Sequence, residues 1–198
     1  MVMTTRKQKK ASTQIQLLES AAKCFSEKGF RGTGMAELAN SVGMSTGNLY
    51  RYFPDKEAFI ATLVEDEMSG AITKMNDLDD SESPLINILS VISSCIFDPG
   101  YPMDHRLWIE ILAETARNER LRTVFKTSDN QMRTAFKYLL QDAMKKGLIA
   151  DDLDPDGTSI WLYALVDGMI ARTAIDPDFD FSVHIDLFNK LVTKALSK

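Results

Sequence analysis

Thr33 to Phe59 reads TGMAELANSVGMSTGNLYRYFPDKEAF, and this stretch decides the fold. Leu38, Ala39 and Val42 recur at helical spacing, so a short helix is expected after Gly34, which stands as N-cap with Glu37 at N3. Gly43 sits where a tight turn requires positive φ, a conformation glycine adopts without steric cost. Ser45 is then the N-cap of a second short helix, with Asn48 three residues on. Leu49 and Phe53 are four apart and face inward together. Pro54 ends that helix, and Asp55 caps the next. The small residues Ala39 and Gly43 let the two short helices cross closely. The pattern is helix, turn, helix.

With Leu49 and Phe53 turned inward, Ser45, Thr46, Asn48, Tyr50, Arg51 and Tyr52 are left for another surface. In a helix-turn-helix the N-terminal part of the second helix reaches base edges in the major groove. Asn presents both a donor and an acceptor, matching adenine, and Arg matches guanine or phosphate. Tyrosine hydroxyls bond phosphate oxygens and set register. Lys56 stands at a helix N-terminus, where free N–H groups already favour an anion. The bland alternative for such a face is plain solvated surface.

The order and spacing of many residues argue against that alternative. Gly29-Phe30, Thr33, Glu37-Leu38-Ala39, Val42-Gly43-Met44-Ser45, Gly47-Asn48-Leu49-Tyr50-Arg51-Tyr52-Phe53 and Lys56-Glu57 closely resemble the DNA-binding domain of the tetracycline-repressor (TetR) family, over roughly residues 10 to 62. The resemblance implies phosphate contacts at Thr33, Tyr50, Tyr52 and Lys56, and base readout at Ser45, Thr46, Asn48 and Arg51. Gly34 departs from the Ser or Thr often found at its position. The resemblance further implies a C-terminal domain that holds a small-molecule pocket and dimerises through its last two helices, so that ligand alters the spacing of the two reading heads.

Charge is divided along the chain in agreement with this reading. The net charge is −5, yet residues 1 to 56 hold nine Lys or Arg against four Asp or Glu, a balance of +5, and the remainder carries −10. A basic N-terminal part supplies sequence-independent attraction to phosphate, and an acidic remainder turns away from it. The two cysteines, Cys24 and Cys95, make no disulfide framework and are expected reduced and mostly buried, which suits a cytoplasmic protein. No apolar run is long enough to span a membrane, and the basic start lacks the apolar stretch of a secretory signal. No HExxH, CxxC, nucleophile elbow or phosphate-binding glycine loop occurs, so no catalytic residue, metal or cofactor is called for. A helical adaptor that uses its three-helix head for protein contacts is the alternative to a DNA-binding regulator.

An all-α fold is expected throughout. A first helix over about Thr13–Lys28 has Thr13 and Gln16 as capping box, Ile15, Leu18, Ala22 and Phe25 as inner face, and Gly29 as stop. The domain reading is a flexible basic arm over 1–10, a helix-turn-helix domain over 11–58, and a helical ligand-binding and dimerisation domain over 59–198. The arm reads equally as a phosphate or minor-groove contact and as a solvated tail. Within the C-terminal part, Ser83-Pro84, Asp104 and Asp154-Pro155 open helices, and Ser182 opens the last one. Ile160, Ala164 and Gly168, with Val183, Leu187 and Leu191, are the candidate dimer-interface residues. Phe97, Tyr101, Met103, Trp108, Trp161 and Tyr163 are candidate pocket residues, with core packing as the alternative for each. Glu110 is read as lying on the wet face of its helix. The partners expected are a double-stranded palindromic operator, a second copy of the chain and an unidentified small molecule.

Overall fold

The first helix is longer than its capping pattern suggests. In the computed structural model, which describes residues 6–78, 83–97 and 102–198, α1 spans Arg6–Gly32. Arg, Lys, Gln and Ala before Thr13 are good helix formers, so the helix runs through the expected cap rather than starting at it. Residues 6–10 of the expected arm are therefore helical, and its first five residues lie outside the described ones. Gly29, at φ 75° and ψ 161°, interrupts the helix one turn before its end. The buried face is Leu17, Leu18, Ala21, Ala22 and Phe25, and Ile15 is exposed because the core ends one turn above it.

Seven further helices and a final one follow: α2 (Met35–Ser41), α3 (Thr46–Leu49), α4 (Lys56–Asn76), α5 (Pro84–Phe97), α6 (His105–Thr115), α7 (Glu119–Lys145), α8 (Pro155–Ile175) and α9 (Ile185–Leu196). No strand occurs among the described residues. Three of the starts are capped by an aspartate side chain. Asp55 accepts the Ala58 N–H at 2.8 Å, Asp104 accepts that of Leu107 at 2.7 Å, and Asp154 accepts from Asp156 and Gly157 ahead of a proline at the first helical position. Gly147 ends α7 at φ 68°, the left-handed stop. The last helix begins later than Ser182, because Asp180 caps a 3₁₀ turn over Phe181–Val183 that precedes it.

The chain forms two compact units. One joins Met1–Glu65 to Tyr101–Phe125, and the other joins Asp66–Gly100 to Lys126–Lys198. The stretch containing α6 thus packs with the N-terminal head, although it lies beyond the boundary expected at residues 58 and 59. The head's core is aromatic. Phe53 stacks on Phe59 at 3.8 Å, and Phe25 meets Phe30 at 5.4 Å and Phe59 edge-on at 6.4 Å. Leu38, Ala39, Leu49, Ile60 and Leu63 close around them at 2 % exposure or less. In the second unit α5 packs on α8 and α9, burying Ile88, Ile92 and Ile96, while Phe181 contacts the rings of Phe97 and Phe188. The Ala150 N–H donates to the Leu196 carbonyl at 2.8 Å, tying the end of α9 to the loop after α7.

Candidate nucleic-acid interface

The corner between α2 and α3 is built as its residues require. Gly34 caps α2 through backbone geometry alone, with no side-chain bond. Glu37, at the third helical position, accepts from the Gly34 backbone N–H, the half of a capping box that does not need a side chain at Gly34, and also pairs with Lys28 of α1. The Lys28 hydrogen bond first, with that of Gly34, holds its carboxyl below the usual range. Gly43 takes φ 66° in the turn. The Ser45 hydroxyl oxygen accepts the Asn48 N–H at 3.3 Å and starts α3. Leu49, fully buried, and Phe53, at 2 % exposure, anchor α3 to the core. The regular part of α3 is four residues long, and turns with Arg51→Asn48 and Tyr52→Leu49 bonds tighten the chain before Pro54.

That anchoring presents one face outward. Tyr50 is half exposed, Arg51 and Ser45 are exposed, and Thr46, Asn48 and Tyr52 are partly so. Among the described residues, the side chains of Thr46, Asn48, Tyr50, Arg51 and Tyr52 form no hydrogen bond or ion pair within the chain. Gly47 has open space where a Cβ would stand, so backbone can approach a partner closely there. The arrangement is a short helix fixed from behind, with an amide, a guanidinium and two phenols free in front.

Two expected phosphate contacts sit differently from the rest. Thr33 is 1 % exposed, and its hydroxyl donates to the carbonyls of Gly29 at 3.0 Å and Cys24 at 3.2 Å. Its side chain locks the end of α1 instead of facing solvent, because the break at Gly29 frees a carbonyl that needs a donor. Lys56 is half-buried, and its Nζ donates to the Phe30 carbonyl at 2.7 Å while lying 4.4 Å from the centre of the Phe30 ring. An ammonium has three donors, so two remain for a phosphate.

Comparison with known proteins agrees with this geometry. The model described as "Bacterial regulatory proteins, tetR family" matches residues 17–63, and that described as "BetI-type transcriptional repressor, C-terminal" matches residues 94–196. This chain belongs to the TetR family. It is accordingly a helix-turn-helix transcriptional regulator, and the family's members are non-enzymatic. The HTH-type transcriptional regulator UidR of Escherichia coli K12 is 28% identical over 163 residues, covering 80% of each chain. Among solved structures, Salmonella enterica GusR superposes with a TM-score of 0.78 at 23% identity, covering 96% of this chain and 98% of its own. The FadR regulator of Bacillus subtilis, solved in complex with stearoyl-CoA, gives 0.77 at 20% identity, covering 93% and 99%.

The TetR resemblance also predicted a pocket, and the candidate residues for it fall into different surroundings. Met103 and Trp108 are buried within the head unit, Trp108 against Phe125 at 6.0 Å. Phe97 and Trp161 are exposed on the second unit. Tyr163 is edge-on to Phe136 at 5.6 Å, and burial pushes its hydroxyl pKa up. Tyr101 lies outside the described residues. The second unit has a cleft of about 690 Å³ between α4 and α7, lined by Ile72, Met75, Asn76, Asn130, Gln131, Thr134, Ala135, Tyr138 and Leu139. None of the five described candidates lines it. Its exposed lining is mostly apolar and gave no aromatic or charged signal in sequence beyond Tyr138, which is 66% exposed. Glu110 is likewise not on a wet face: it is half-buried, and its Oε2 accepts the Phe30 N–H at 3.1 Å.

The candidate interface residues are placed on open surface. Ile160, Leu187 and Leu191 are more than half exposed and Val183 is 73% exposed. Ala164 is exposed, and Gly168 has nothing within 4 Å of a Cβ position. On α9 their neighbours Phe188, Val192 and Leu196 take the intramolecular core. No described helix is long and apolar enough to cross a membrane, and the described residues hold no cluster of metal ligands.

Proposed function

We propose that this TetR-family regulator is a dimeric repressor that binds a palindromic operator and leaves it when a small molecule binds. The carrying observation is the free face of α3 in front of a fully buried anchor. Thr46, Asn48 and Arg51 read bases, with Ser45 at the helix start. Tyr50, Tyr52 and Lys56 hold phosphates, and the basic N-terminal part of the chain adds attraction without sequence. Thr33 contributes by fixing the corner.

Dimerisation supplies the second reading head. Val183, in the 3₁₀ turn before α9, and Leu187 and Leu191 on α9 supply one set of exposed apolar residues, and Ile160, Ala164 and Gly168 form a row on α8, where small residues permit close approach. Water-exposed apolar rows of this extent mark an association surface, and a two-fold pair of heads about one DNA turn apart (~34–36 Å) reads a palindrome. The cleft between α4 and α7 is large enough for a metabolite-sized ligand, and a ligand with different affinity for two head spacings shifts binding through linkage.

Selection from a random duplex library by the purified protein at two salt concentrations tests this. A palindromic consensus with steep salt dependence is the expected result. Absence of enrichment, even after refolding to strip any co-purified ligand, would overturn it in favour of the adaptor reading.

A further inference from the structure

Four polar contacts tie the stretch around α6 to the head. Asp104 accepts from the Ser26 hydroxyl at 2.6 Å, Glu110 from the Phe30 N–H at 3.1 Å, Glu114 lies 3.8 Å from Arg31, and Arg120 donates to Asp55 at 2.6 Å. Two of them converge on the start of α4. Asp55 caps α4 with one carboxylate oxygen and takes Arg120 with the other. Glu110 reaches the same place through Phe30.

The Phe30 backbone is gripped from both sides by opposite charges. Gly29, at ψ 161°, turns the Phe30 N–H out of the helical direction, and Glu110 Oε2 receives it. The Phe30 carbonyl receives the Lys56 ammonium at 2.7 Å. Gly29 is required for this approach, since any Cβ there would stand 3.3 Å from Glu110 Oε1, at a φ side chains rarely adopt. The placement of Glu110 is not what stability alone selects. A carboxylate at a helix C-terminus faces the negative end of the helix dipole, where a cation is favoured, and partial burial removes solvent from it. What the carboxylate achieves is to fix the Gly29–Phe30 peptide, and through Phe30 the adjoining peptide whose carbonyl anchors Lys56.

We propose that Glu110 is a positioning residue for DNA binding, acting through Phe30 on Lys56. The inference rests on the DNA-binding reading above. It makes α6 a determinant of phosphate contact at the head, although no residue of α6 belongs to the helix-turn-helix.

The test uses the full chain, the duplex carrying the selected consensus and a scrambled duplex, with affinity measured by anisotropy over a salt series. Glu110→Gln keeps an acceptor for the Phe30 N–H and is expected to bind within about twofold of wild type. Glu110→Met keeps the stem without the acceptor and is expected to bind both duplexes about tenfold more weakly, with the salt slope lower by about one. Lys56→Met should do the same, and the double variant should be no worse than either single one, as expected for residues acting through one contact. Additive losses, or a Glu110→Met protein with wild-type affinity and slope, would overturn the proposal. Wild type binding neither duplex would instead overturn the reading beneath it. Amide exchange in the wild-type and Gln proteins keeps the proposal testable should Glu110→Met not fold: Phe30 is expected to be protected in both, and a Phe30 amide exchanging at the unprotected rate would refute it.

Discussion

Replacing Thr33 by Val separates two roles that sequence alone assigns to one residue. The side chain keeps its shape and loses its hydroxyl. In the structure that hydroxyl is buried and serves the carbonyls of Gly29 and Cys24. One donor shared between two acceptors nets about 1 kcal/mol, and leaving a freed carbonyl poorly satisfied brings the cost to about 1–2 kcal/mol. For a chain of this size each kcal/mol corresponds to roughly 2–4 °C in melting temperature. Trp108 lies in the head unit and Trp161 in the other, so a Trp161→Phe background lets fluorescence report unfolding of the head. The expected result is a lower head stability with DNA affinity on consensus and scrambled duplexes changed by no more than about twofold. If stability is unchanged and affinity for consensus and scrambled duplexes falls alike by about fivefold or more, the hydroxyl is a phosphate contact and the reasoning from its burial fails.

Three further outcomes follow from other parts of the molecule. Asn48→Ala should leave folding intact, because the backbone N–H and not the side chain engages Ser45, and should cost about 1–3 kcal/mol of discrimination at one base pair; an unaltered selected consensus would remove Asn48 from base readout. Leu187→Glu places a carboxylate on the exposed row of α9 in both copies of a two-fold dimer, and sedimentation at micromolar concentration should show monomer; a persisting dimer would move the interface elsewhere. Burial pushes the Cys95 thiol up to about 11 from 9.0. The unfolded chain then ionises first as pH rises, so this contribution to stability is intact below pH 9 and is lost toward pH 11. Tyr163, also raised by burial, acts in the same direction, so the check is the difference from Cys95→Ala: denaturant unfolding of that variant should fall less steeply across this window, and parallel curves would exclude the effect.

The exposed face of α3 was legible because its logic is local. Gly43, Ser45, Leu49 and Phe53 dictate a turn, a cap and a buried side within eleven residues, and the free face follows from what those positions leave over. The apolar stripes of α8 and α9 were legible as helical periodicity, but packing decided that Leu187 and Leu191 stay exposed while Phe188, Val192 and Leu196 are buried. The length of α1 was not legible, because capping signals and helix propensity conflicted at Thr13 and propensity prevailed.

The all-α fold, the helix-turn-helix and the charge division were thus determined by the sequence itself, through periodicity, capping and composition acting over a few turns. The break of α1 at Gly29 decided the neighbours of Thr33, and tertiary structure alone decided those of Lys56 and Glu110. Hydroxyl, ammonium and carboxylate groups read identically in sequence whether they face water, phosphate or a backbone amide. The partner of Glu110 lies 80 residues away and that of Lys56 26 residues away, and only the packing of α6 on α1 and the placing of the start of α4 beside Phe30 bring them within hydrogen-bond range.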